Sequence, residues 1–356
     1  MMYSATKFRW FLIIASMLLL VACGATMSEG DQKETESADN DSGDAITLKL
    51  GHVFAENDIT HKSSEKLAEL AEEYSDGEII VDVYSNSQLG EEKDLVEGVD
   101  LGTIDIALSS NAVVTNFIPS LVYWDLPYLI DSTDHIDRIV DSEVGELLDQ
   151  TFESNNFKNL GVQYGGFRQI TNSLNPIEKI EDFDGINLRV LESEVMLDTF
   201  NNLPGVKTQN MAFSELYSGL QQGVVNAQEN PINLIYSMKF QEVQDYLSIT
   251  NHFYTTRYFL MNFDKYDSLS KKQQDALTKA TEEAMEYHKQ ELFDDEESIL
   301  EELKEEGMEI NEVSNDFIED FRSIMEEKVY TDYYEKIGDG DEEKGKEIIE
   351  KIANLR

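Results

Sequence analysis

Ile46-Thr47-Leu48-Lys49-Leu50-Gly51 alternates apolar and polar side chains, the period of a strand with one buried face. The segments after this strand decide the fold class. Thr60 to Tyr74 carries Leu67, Leu70 and Ala71 at helical spacing and reads as an amphipathic helix. Glu78 to Tyr84 (EIIVDVY) is a second strand, Gly90 to Val99 a second helix, and Ile104 to Leu108 (IDIAL) a buried third strand. Strand and helix signals keep alternating to Ile249, which predicts an α/β fold with mostly parallel sheets.

The C-terminal third changes character. From Ser270 a helical pattern runs to about Glu306, with Ser270 and Gln273 spaced as a capping box and Gly307 placed to end it. A helix of roughly 37 residues is about 55 Å long, more than one domain's diameter, so it is expected to brace two domains. Phe317 to Tyr334 and Glu342 to Ala353 read as two more helices.

The chain has 356 residues, 41% of them hydrophobic, enough for two cored domains at roughly 150 residues each. Its 72 acidic and 28 basic residues give a net charge of −44, which repels nucleic acid and excludes it as a main ligand. Acid runs such as Asp294-Asp295-Glu296-Glu297 read as solvated helix faces, suited to a saline or alkaline medium.

Residues 1–22 read as an export leader: Lys7 and Arg9, then the apolar run Trp10 to Ala22, short of the roughly 20 residues a bilayer span needs. The run ends in Leu20-Val21-Ala22-Cys23, which resembles a bacterial lipobox, so Cys23 is expected to carry a lipid. It is the only cysteine, which rules out an intrachain disulfide or a cysteine-built zinc site. Residues 23–45, small and acidic, are expected to form a flexible tether reaching roughly 25 Å. The mature protein is then held on the outer face of the cell membrane or in a periplasm.

No G-x-S-x-G elbow, H-E-x-x-H motif or phosphate-cradling glycine loop occurs, so no catalytic residue, cofactor or metal is expected. His52, His61, His135, His252 and His288 lack metal-ligand spacing and are expected on the surface or in structural roles. Two arginines stand out: Arg168 in Tyr164-Gly165-Gly166-Phe167-Arg168-Gln169-Ile170-Thr171-Asn172, and Arg189 between Leu188 and Val190, two residues that look buried. In Gln228-Glu229-Asn230-Pro231 the proline holds Asn230 extended. Two guanidinium forks and an amide suit a small organic acid, although composition alone favours a surface carboxylate as each arginine's partner.

These segments resemble the solute-binding proteins of tripartite ATP-independent periplasmic (TRAP) transporters of the C4-dicarboxylate-binding type. The resemblance rests on Leu48-Lys49-Leu50-Gly51-His52-Val53, Ser87-Gln88-Leu89-Gly90-Glu91, Gly102 to Ala107, Asp125-Leu126-Pro127-Tyr128-Leu129, the Arg168 segment, Gly185 to Val190, Met211 to Tyr217, and Gln228 to Pro231. It runs from about residue 47 to the C-terminus. It implies a two-lobed periplasmic-binding-protein-like fold with a hinged cleft: lobe I, 46–165 plus 256–296; lobe II, 166–255 plus 297–356, with the long helix crossing between them. It also implies a monomer that captures a carboxylate-bearing solute and delivers it to the TRAP permease subunits. By position, Arg189 resembles the arginine that grips the carboxylate, Arg168 a second pocket arginine, Asn230 the contacting amide and Phe213 an aromatic wall. Ser110, Glu92 and the His52–Val53 turn fall where the family touches the rest of the solute. Asn187 departs from the family's usual lysine, and Asn226-Ala227 from its usual Asp-Gly. A receptor for a sensor kinase, a secreted hydrolase and a calcium-binding surface protein are the competing functions.

Overall fold

The computed structural model describes residues 45–294 and 296–356. The leader, Cys23 and all of the tether but its last residue lie outside the described residues. Ten strands are present among them: β1 (Ile46–Gly51), β2 (Ile79–Tyr84), β3 (Ile106–Ser110), β4 (Phe157–Asn172), β5 (Asn187–Val190), β6 (Lys207–Asn210), β7 (Ala227–Pro231), β8 (Tyr246–Ile249), β9 (Tyr254–Asn262) and β10 (Glu309–Glu312). They run in the order β2-β1-β3-β9-β4-β7-β5-β6, with β8 on β4 and β10 on β8. Helices alternate with them, so the fold is α/β, as the pattern from Ile46 onward predicts.

The sheet is more mixed than that pattern suggests. β1 pairs in parallel with β2 and β3, β5 with β6 and β7, and β8 with β10. Every antiparallel ladder among the described strands involves β4 or β9, two long strands that return through the middle. β3, β7 and nearly all of β9 are buried on both faces, as is the end of β4, so no alternation marks their direction.

β4 ties the two halves of the sheet together. Its first part pairs with β9 as far as Phe167↔Tyr254, and its last five residues pair with β7 from Arg168↔Pro231. A bulge between Tyr164 and Gly166 precedes the change of partner, and Gly166 at φ +86° takes a left-handed conformation that a side chain disfavours.

The expected single helix from Ser270 to about Glu306 is two described segments, Lys271–Asp294 and Glu296–Glu305. The capping box forms, with Gln273 Oε1 accepting from the Ser270 N–H at 2.9 Å and Ser270 Oγ accepting from the Gln273 N–H at 3.3 Å. The first segment packs on helix Ile59–Tyr74 and on β4, and the second packs on helix Ile232–Ser237. Glu296 and Glu297 fall in the second segment's first turn, where the helix dipole favours acid. Near the C-terminus, helix Asn315–Met325 continues through a π-type turn into Thr331–Ile337, and helix Glu342–Asn354 closes the chain. No described helix is long and apolar enough to cross a membrane.

Candidate functional site

A tight cavity of about 40 Å³ lies between the two halves of the sheet. Arg168, Arg189, Asn230, Phe213, Ser110 and Glu92 all line it. His52 and Val53 do not; the next residue, Phe54, reaches the cavity instead. His52 turns into the interior, where its Nε2 lies 3.1 Å from His61 Nδ1 and its Nδ1 accepts from the Phe54 N–H at 3.2 Å. Burial, then the nearby His61, pushes the His52 imidazole down to about 3, so it stays neutral. All five histidines are buried.

Arg189 sits in β5, whose Leu188 and Val190 are fully buried. Its Nε and Nη2 both donate to the carbonyl of Met211, at 3.0 and 2.8 Å, which holds the guanidinium by one edge. Nη1 is buried and has no hydrogen-bond partner among the described residues, and no described carboxylate pairs with the group. The Phe213 ring centroid lies 6.0 Å from its central carbon. Burial pushes this guanidinium down to about 10, opposed mainly by the field of Glu229, so it is charged at neutral pH. Of its two bidentate edges, Met211 occupies the side edge. The end edge, made by Nη1 and the second hydrogen of Nη2, is left for an acceptor that the described chain does not supply.

Arg168 is provisioned differently. Its Nε and Nη2 bind the Glu229 carboxylate, Nη2 also donates to Asn230 Oδ1 at 3.1 Å, and Nη1 donates to Thr255 Oγ1 at 3.2 Å. Asn230 in turn donates from Nδ2 to Gln228 Oε1. One hydrogen on Arg168 Nη1 and one on Asn230 Nδ2 are left over. Arg168 and Asn230 form a rigid polar floor, whereas Arg189 is an open charge.

Sequence patterning does not single out a third arginine, Arg257. It lies in β9, 1% exposed, and lines the cavity. Its one side-chain hydrogen bond among the described residues is long, Nη1 to Gln163 Oε1 at 3.5 Å, and its guanidinium carbon lies 4.7 Å from the Phe54 ring centroid. Burial pushes it down to about 10 as well, against the field of Asp58. A Cβ at Gly165 would stand 2.6 Å from Arg257 Nη1 and 2.7 Å from Thr255 Cγ2, so glycine there makes room for the guanidinium. The available signal is a charge inside the mostly apolar run Tyr254 to Met261, where an unpaired arginine is rare.

The sequence profile described as bacterial extracellular solute-binding protein, family 7 (DctP), matches residues 50–336. The chain is 32% identical over 266 residues to the 2,3-diketo-L-gulonate-binding periplasmic protein YiaO of Escherichia coli (strain K12), covering 75% of this chain and 81% of that one. The sugar acid binding protein DctPAm of Advenella mimigardefordensis, solved with galactonate, superposes with a TM-score of 0.82 at 30% identity, over 88% of this chain and 99% of that one. A TRAP periplasmic solute-binding protein of Sulfurospirillum deleyianum, solved with bound succinate, gives 0.80 at 29% identity, over 87% and 99%. Each of these relatives is described as a solute-binding protein. With its sheet order, its arginine-lined cavity and a match over most of its length, the chain belongs to the DctP family of TRAP-type extracellular solute-binding proteins.

Proposed function

We propose that this protein captures a small carboxylate-bearing solute outside the cytoplasm and delivers it to a TRAP permease. The observation that carries the reading is Arg189: a buried guanidinium, held by a backbone carbonyl on one edge, with no anion from the described chain on the other. A buried charge without a partner is costly, and a solute carboxylate supplies the partner. The ligands of the relatives, a diketo-gulonate, galactonate and succinate, all carry a carboxylate.

In this reading Arg189 grips the carboxylate, the spare hydrogens of Arg168 and Asn230 orient it, Phe213 walls it, and Ser110 and Glu92 meet the remainder of the molecule. Lobes 46–165 plus 256–296 and 166–255 plus 297–356 close on it. The switch of β4 from β9 to β7 after Phe167, beside Gly166, supports a division at that point. Ligand shifts the open–closed equilibrium by its extra affinity for the closed form.

A thermal-shift panel of small organic acids tests the reading. A carboxylate at 100 times its dissociation constant adds about 2.7 kcal/mol, and its methyl ester adds nothing. Equal shifts from acid and ester, or no shift from any acid, overturn it. We further propose that Cys23 carries a lipid anchor. Cys23→Ala is then expected to move the protein from the detergent phase to the aqueous phase in detergent partitioning; a wild-type protein already in the aqueous phase contradicts the anchor.

A further inference from the structure

The wall opposite Arg189 carries two unsatisfied groups of opposite sign. Arg257 on β9 stands across the ladder from Ser110 on β3, and it forms no ion pair with any described residue. Glu92 stands beside the same Ser110. Its Oε2 accepts from the Ser110 N–H at 3.0 Å, the Ser110 hydroxyl, and the Ser109 hydroxyl at 3.3 Å. Its Oε1 accepts from no described donor. Both residues line the cavity.

Three guanidinium groups, Arg168, Arg189 and Arg257, are buried at the site with the carboxylates of Glu92 and Glu229, and Asp58, also buried, acts on Arg257 through its field. At the rim the cavity adds Lys93 against Glu91 and Glu192, so the rim does not favour a second anion. A dianion brings more negative charge than a mono-anion into a protein that is already at −44 and sets its second carboxylate beside Glu92.

We propose that Arg257 is a second solute anchor and that, paired with Glu92, it makes the site select a hydroxylated monocarboxylate over a dicarboxylate. The inference rests on the solute-binding reading above. A hydroxyl meets both groups at once, accepting from the Arg257 guanidinium and donating to Glu92 Oε1. A second carboxylate satisfies Arg257 only by facing Glu92 without a proton between them. Selection then works through an unfavourable contact as much as a favourable one.

Calorimetric titration of the wild-type protein with four- to six-carbon aldonates (erythronate, threonate, gluconate) and with succinate and malate tests this. The tightest aldonate is expected to bind at least tenfold more tightly than the tighter dicarboxylate. Glu92→Gln keeps the shape and removes the charge, so it is expected to narrow that ratio at least tenfold. Arg257→Gln is expected to weaken aldonate binding at least tenfold, with melting curves confirming that each variant folds. A wild-type preference for a dicarboxylate overturns the selectivity and leaves carboxylate capture by Arg189 standing, whereas no binding of any acid overturns both. An Arg257→Gln protein with unchanged affinities overturns the anchor role.

Discussion

Arg189→Ala is expected to weaken solute binding by about 2–5 kcal/mol, roughly 30- to several-thousand-fold, the range for truncating one partner of a buried hydrogen-bonded charge pair. The guanidinium is 2% exposed and offers its end edge to the cavity, so the solute's charge has no equivalent partner there. Calorimetry showing less than a few-fold loss removes Arg189 from the role. Arg189→Lys is expected to recover little. One ammonium cannot hold the Met211 carbonyl and present two parallel donors to a carboxylate. The free protein should respond in the opposite direction. With no solute present Arg189 is a buried charge whose compensation is two bonds to one carbonyl. Arg189→Met, which fills similar space with an apolar chain, is therefore expected to raise the melting temperature of the ligand-free protein while abolishing the ligand-induced shift. A role confined to structure predicts a fall in both.

The local parts of this architecture are legible because they are written at short range. Ile46–Gly51, helix Ile59–Tyr74 and the Ser270–Gln273 cap are each specified by residues close together in the chain, and each appears within two residues of its expected bounds. The burial around Arg189 is legible for the same reason, since Leu188 and Val190 flank it. The features that escape a sequence reading depend on strands far apart in the chain. The Arg168–Glu229 pair spans 61 residues and exists because β4 and β7 lie side by side. Arg257 is hidden because β9 is buried on both faces, so position along it carries no inside–outside signal. At the turn after β1, residue type does not tell which side chain faces the cavity: His52 is turned inward onto His61, and Phe54 takes the wall.

Glu229→Gln is expected to cost about 3–5 kcal/mol of folding stability in chemical denaturation, the range for breaking a buried ion pair from one side. Glu229 is fully buried in β7; its carboxylate takes two donors from Arg168, and Oε2 lies 3.4 Å from His252 Nε2. Glutamine keeps the shape but removes the charge, and so leaves Arg168 buried without its counter-ion. Replacing both members, Arg168→Met with Glu229→Leu, should regain most of the stability, because the loss lies in the orphaned charge. The pH dependence has a definite sign. Burial alone would raise the Glu229 carboxyl, but Arg168 and His252 outweigh it and hold it below 4.5. A carboxyl depressed by folding contributes stability that is fully present above 4.5 and is lost as pH falls through its folded value. Acid also relieves the self-repulsion of a chain at −44, so the wild-type curve alone mixes two opposing trends. The difference between wild type and Glu229→Gln isolates the Glu229 cluster, Arg168 and the coupled His252 at 3.4 Å, since the titrating groups farther away are common to both. That difference is expected to be flat above about pH 5 and to shrink below pH 4.5. A difference that is constant down to about pH 2, or below about 1 kcal/mol at neutral pH, means that the Arg168–Glu229 pair does not hold the floor of the site.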